Sequence, residues 1–117
     1  MLGDYPGEMH FFTAELGNEQ VAFTYRRMPQ HTGGKGSYGH FHHEQEEVYF
    51  VVSGRLQFKL GDDVVEAVAG TAIRVAPEVV RSVWNDHPED AGLVIVSKRL
   101  DDAHGDTDYV PDFWPAE

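Results

Sequence analysis

The sequence predicts an all-β domain with little helix, built as a sandwich or a barrel, and three observations carry that expectation. Gly and Pro recur at intervals of about 8 to 12 residues, the spacing of turns between short strands. Between residues 20 and 98 no i, i+3, i+4, i+7 apolar stripe runs uninterrupted by Gly or Pro, so nothing there reads as a helix. The segments between the turns read instead with period two.

Candidate strands, in order, are Gln20 to Met28, Tyr38 to His42, Glu47 to Val52, Leu56 to Leu60, Val64 to Val68, Ala72 to Val75, Arg81 to Trp84 and Leu93 to Lys98. An edge strand is expected before them, around His10 to Ala14. In Leu56-Gln57-Phe58-Lys59-Leu60 the alternation points Leu56, Phe58 and Leu60 to the core and Gln57 and Lys59 to water. Ser53-Gly54 before it supplies a glycine for a positive φ, and Gly61-Asp62-Asp63 after it reads as a hairpin loop.

The run Val48-Tyr49-Phe50-Val51-Val52 is apolar on both faces. If Glu47 points inward, Tyr49 and Val51 follow it, and Val48, Phe50 and Val52 lie outside. Strands apolar on both sides are usually covered on both, so a second layer, a tail or a partner subunit is expected over the outer face. Pro111 and Pro115 exclude a central strand for the Tyr109 to Pro115 segment. Its aromatics, like Phe11-Phe12, are expected to pack on the barrel or on a neighbour. Together these surfaces predict a homodimer.

A chain of 117 residues with 41% apolar and 12% aromatic content reads as one folded domain. No apolar run approaches the roughly 18 residues of a membrane span. Met1 to Glu8 shows no basic stretch followed by an apolar one, so a secretory signal is not expected and the cytoplasm is the expected compartment. With no cysteine there are no disulfides and no thiolate ligands. Twenty acids against nine bases give a net charge of −11. That field repels phosphate backbones, which argues against nucleic acid and anionic membrane surfaces as partners. The dense cluster Asp101, Asp102, Asp106 and Asp108 lacks the ligand spacing and glycine of a calcium loop, and reads as a solvated connection.

The most informative stretch runs from Gly34 to Gly54. His40 and His42 are two apart and leave the same face of a strand, and Glu47 opens the next strand. Two imidazoles and a carboxylate make an N,N,O donor set suited to Fe, Mn, Ni, Cu or Zn as a divalent ion. The bland alternative for the pair is an exposed, solvated strand, and the spacing of Glu47 and the two glycines favours an inward-facing cluster. His43 is expected on the opposite face, and His10, His31, His87 and His104 in exposed loops.

The full pattern Gly-x5-His-x-His-x4-Glu-x6-Gly resembles the first signature motif of the cupin superfamily. The resemblance implies a double-stranded β-helix, or jelly-roll barrel, with its core at about residues 20 to 98, extensions at both ends, and His40, His42 and Glu47 as metal ligands. The second motif of that family, Gly-x5-Pro-x-Gly-x2-His-x3-Asn, is matched at Gly70 and Asn85. Ala76 replaces its proline, Glu78 its glycine, and Arg81 stands where the fourth ligand, a histidine, is expected.

Arg81 therefore decides how the cluster is used, and its position leaves five arrangements open. It can face the cluster and repel a metal, a cost of about 6 kcal/mol for a dication about 5 Å away at a dielectric near 20. It can swing to the barrel mouth and leave a 2-His-1-carboxylate site. It can pair with Glu47 or bind an anionic ligand, or lie on the surface. The leading expectation is a barrel binding a divalent transition metal and a small polar, anionic ligand, with Arg81 orienting the ligand and Tyr49 and Phe58 walling the pocket. The metal would serve a dioxygenase- or isomerase-like enzyme as Lewis acid or oxygen activator, and no separate general base stands out. The alternatives are a metal-free, non-catalytic binding or sensor module and a structural dimer with a vestigial site.

Overall fold

The computed structural model describes residues 7–116. The Met1 to Glu8 reading falls mostly outside that range. Eleven strands among the described residues form two antiparallel sheets. They are β1 (Glu8–Phe11), β2 (Val21–Met28), β3 (Thr32–Gly33), β4 (Ser37–His42), β5 (Glu47–Ser53), β6 (Arg55–Leu60), β7 (Asp63–Val68), β8 (Ala72–Val75), β9 (Arg81–Asn85), β10 (Ala91–Lys98) and β11 (Thr107–Trp114). One sheet has the order β1-β2-β10-β5-β8 and the other β11-β4-β9-β6-β7, with β3 paired to β9. This is the expected jelly roll: sequence neighbours such as β4 and β5 lie in different sheets and face each other across the core.

The alternation read from the sequence sets the core. Glu47, Tyr49 and Val51 are buried along β5, while Phe50 and Val52 on its other face are 40% and 48% exposed. On β6, Leu56 and Phe58 are buried and join Met28, Val51 and Leu93 in the central cluster. Both tight connections are as expected: Gly54 has φ 71°, and Gly61 (φ 59°) opens the β6–β7 hairpin, with Asp63 already in the strand. Gly34 is needed for a different reason, because a Cβ there would sit 1.8 Å from Ser82 Oγ on β9.

The structure corrects several expectations. The strand expected at His10 to Ala14 ends at Phe11, and Thr13–Leu16 form a single helical turn, α1. Thr13 is drawn into that turn, its Oγ1 accepting Phe23 N–H at 3.0 Å. Gly17 closes it in the left-handed region at φ 71°. His10 is a half-buried strand residue stacked on Phe12, with ring centroids 4.0 Å apart, rather than a loop residue. His87 is likewise half-buried, its Nε2 2.8 Å from Glu66 Oε2. Residues Asp101 to Asp108 are not a purely solvated connection, since Asp106 is 7% exposed and β11 begins at Thr107. The proline-bearing tail is an edge strand on β4, as a strand with missing donors must be, and its register breaks between Val110 and Trp114. Trp114 packs on the chain's own barrel at 5% exposure, whereas Phe11 is 64% exposed.

Candidate functional site

His40 and His42 project inward from β4, Glu47 and Tyr49 from β5, and Arg81 from β9, where it pairs in register with His40. Two sheets thus aim one carboxylate, two imidazoles and a guanidinium at a common point. The ligand-type atoms of His40, His42 and Glu47 all lie within 4.8 Å of one another. Glu47 Oε1 is the hub. Tyr49 donates its hydroxyl proton to it at 2.6 Å. Arg81 Nε lies 3.3 Å away, His42 Nε2 3.5 Å and His40 Nε2 3.9 Å.

Burial alone would push the Glu47 carboxyl up, but its polar contacts, those of His40 and Tyr49 among them, and the charge of Arg81 overcome it. The group is held well below the usual carboxylate range. Tyr49 shows the opposite response, because burial and the neighbouring Glu47 charge raise its hydroxyl well above the ordinary value. It is therefore a donor to Glu47 and not a base. Phe58 packs on the Tyr49 ring, with centroids 5.5 Å apart, and both line the cavity.

Arg81 faces the cluster and is only 1% exposed. Its Nη1 donates to Pro77 O at 3.0 Å and to Val79 O at 2.6 Å. These carbonyls anchor the guanidinium, which rules out both the swing to the mouth and the surface placement. The Glu47 contact runs through Nε, so the two side chains do not form a bidentate pair. Nη2 is buried with no hydrogen-bond partner among the described residues.

A divalent ion fits the remaining donors. They are of the right N,N,O type and convergent, and His42 Nε2 is buried without a hydrogen-bond partner among the described residues. Arg81 takes the quarter where a fourth ligand would stand. Two residues that sequence reasoning missed sit behind His42: Thr107 Oγ1 lies 3.2 Å and Asp106 Oδ2 3.7 Å from its Nδ1. They are 64 and 65 positions away in sequence, and only the β4–β11 pairing brings them close.

The site opens into a cavity of about 1150 Å³. Its lining includes Arg26, Arg81, Arg99 and four histidines against a single carboxylate, Glu47.

A family profile described as Cupin domain matches residues 27–97. No curated protein sequence matches the chain. Among solved structures, a protein from Acidithiobacillus ferrooxidans, provisionally named a sugar phosphate isomerase, superposes with a TM-score of 0.71 at 19% identity, over 81% of this chain and 60% of that one. The present chain thus spans less than two thirds of that relative. A cupin protein from Bacteroides fragilis gives a TM-score of 0.71 at 18% identity, over 84% of this chain and 86% of that one. A sugar phosphate isomerase from a cupin superfamily, from Silicibacter pomeroyi, gives 0.70 at 16% identity, over 94% and 85%. At such identities these structures show a common fold and no more. With the motif from Gly34 to Gly54, the two-sheet barrel and the profile match over residues 27–97, the chain belongs to the cupin family.

Proposed function

We propose that the barrel binds a small, polar, anionic molecule beside a divalent transition metal held by His40, His42 and Glu47. The observation that carries this reading is the segregation of charge. A chain of net charge −11 places three of its six arginines around one cavity, with one of its twenty acids. Low-dielectric walls focus such a field, so the cavity attracts anions that the outer surface repels. The Nη2 group of Arg81, buried and without a hydrogen-bond partner among the described residues, suits a carboxylate or phosphate oxygen. Phosphorylated sugars belong to this ligand class, and two structural relatives are named for them.

When bound, the metal supplies Lewis-acid polarisation of a ligand oxygen or oxygen activation. The chain's own residues bind and orient. Arg81 fixes the negative group, Tyr49 keeps Glu47 aimed and ionised, and Phe58 closes the apolar wall. An isomerase- or dioxygenase-like activity fits this arrangement.

The Arg81–Glu47 contact at 3.3 Å favours one second reading, a metal-free binding or sensor module in which the guanidinium supplies the positive charge. Elemental analysis of protein purified without an affinity tag separates the two. Near-stoichiometric Fe, Mn, Ni, Cu or Zn supports the first. Protein that stays metal-free even after incubation with each ion, yet binds inorganic phosphate, supports the second.

A further inference from the structure

We infer that Thr107, reinforced by Asp106, is a positioning residue for His42: it holds the ring with its proton on Nδ1 and the Nε2 lone pair turned towards Glu47. Proton accounting leads there. Thr107 has one hydroxyl proton and gives it to Ala103 O at 2.9 Å. The same Oγ1 lies 3.2 Å from His42 Nδ1 and, its proton being used, accepts there. Asp106 Oδ2, 3.7 Å from Nδ1, presents a second acceptor on that side. This carboxylate is fixed in turn, with Oδ1 accepting Glu44 N–H at 3.0 Å and Oδ2 accepting Gln45 N–H at 3.1 Å. Two acceptors around Nδ1 stabilise a proton on that nitrogen and disfavour a lone pair.

The consequence appears on the other side of the ring. Nε2 is left as the basic nitrogen, buried and without a hydrogen-bond partner among the described residues, 3.5 Å from Glu47 Oε1. A lone pair and a carboxylate facing each other at that range leave a place for a cation. Orientation of a ligating imidazole through its other nitrogen tunes metal affinity and fixes the tautomer. Asp106 and Thr107 lie beyond the profile match at residues 27–97, so the C-terminal extension completes the site as well as the sheet.

The affinity part of this inference rests on the metal reading above, whereas the tautomer does not, and the experiment keeps the two apart. Long-range ¹H–¹⁵N spectra of the metal-free protein are recorded at a pH where the imidazoles are neutral, for the parent, Thr107→Val and Thr107→Ser. The same three proteins are titrated with zinc. The expected result is an Nδ1–H tautomer for His42 in the parent, a shift towards Nε2–H in Thr107→Val, and recovery in Thr107→Ser. Zinc affinity is expected to fall about 10- to 100-fold in the valine variant and return with serine. An Nε2–H tautomer in the parent overturns the inference, even if the valine variant does not fold. So does an Nδ1–H tautomer that Thr107→Val leaves unchanged. A parent with the expected tautomer but no zinc binding supports the positioning role and overturns the metal reading instead.

Discussion

Arg81 Nε and Glu47 Oε1 meet 3.3 Å apart inside the barrel, the arginine 1% and the glutamate 8% exposed. A guanidinium so far from water persists because its charge is opposed by a carboxylate and its Nη1 is held by two carbonyls. The pair ties β9 of one sheet to β5 of the other, and four predictions follow from it and from its surroundings.

Removing only the arginine leaves Glu47 buried and undercompensated. Arg81→Met is expected to cost about 3–5 kcal/mol of stability, measured by urea unfolding. Adding Glu47→Leu should recover much of that loss, because a buried pair replaced by apolar residues of similar volume is often neutral or stabilising. A double variant no more stable than Arg81→Met would show that the pair is not energetically coupled.

Replacing the guanidinium with a ligand should act in the other direction on metal. Arg81→His removes a repelling cation and adds an imidazole at the position of the fourth cupin ligand. Apparent affinity for a divalent ion is expected to rise by several kcal/mol, on the order of the roughly 6 kcal/mol Coulomb penalty. Binding of inorganic phosphate should weaken in the same variant. Calorimetric titration of both proteins with one metal and with phosphate makes the comparison.

Acid should remove the contribution of Glu47. Its carboxyl is held below the ordinary value of 4.5 in the folded protein, so folding favours the ionised form. The resulting stability is complete above that ordinary value and is lost as the pH falls towards the folded one. The stability gap between parent and Glu47→Gln, both metal-free, should be widest at neutral pH and narrow below about pH 4.5. A gap that widens with acid would contradict the assignment.

The outer face of β5 should be an interface. Phe50 and Val52 stand 40% and 48% exposed, and neither tail covers them among the described residues. A two-fold contact is expected to bury this face on both copies. Light scattering at micromolar concentration should give twice the 13.1 kDa chain mass, and Phe50→Asp with Val52→Asp should return it to the monomer. A parent that is already monomeric leaves the doubly apolar pattern of β5 without an interface to explain it.

Much of the barrel was legible in the sequence because its information is local. Period-two alternation put Leu56, Phe58, Tyr49 and Val51 inside, glycines at 54 and 61 marked the turns, and the spacing of His40, His42 and Glu47 identified the cluster. For the eight strands expected between Gln20 and Lys98 the boundaries followed to within a residue or two for the same reason, whereas β1 was misplaced at its end and β3 and β11 were not foreseen. The sequence also showed that Arg81 stands in the place of a ligand. What it left open was where that guanidinium goes, since a long side chain has several rotamers and nothing local selects one. The carbonyls of Pro77 and Val79 do so, and they are in position only once β9 has paired with β4 and β6. Asp106 and Thr107 were illegible for a related reason. In the chain they belong to an acidic, turn-rich run, and only the pairing of β11 with β4 converts that run into a carboxylate and a hydroxyl behind His42. The sequence by itself determined which residues face inward, because inward and outward alternate within each strand. The tertiary structure alone decided which of them meet, because contacts between residues 34 to 65 positions apart depend on strand pairing and on the closure of two sheets around one core.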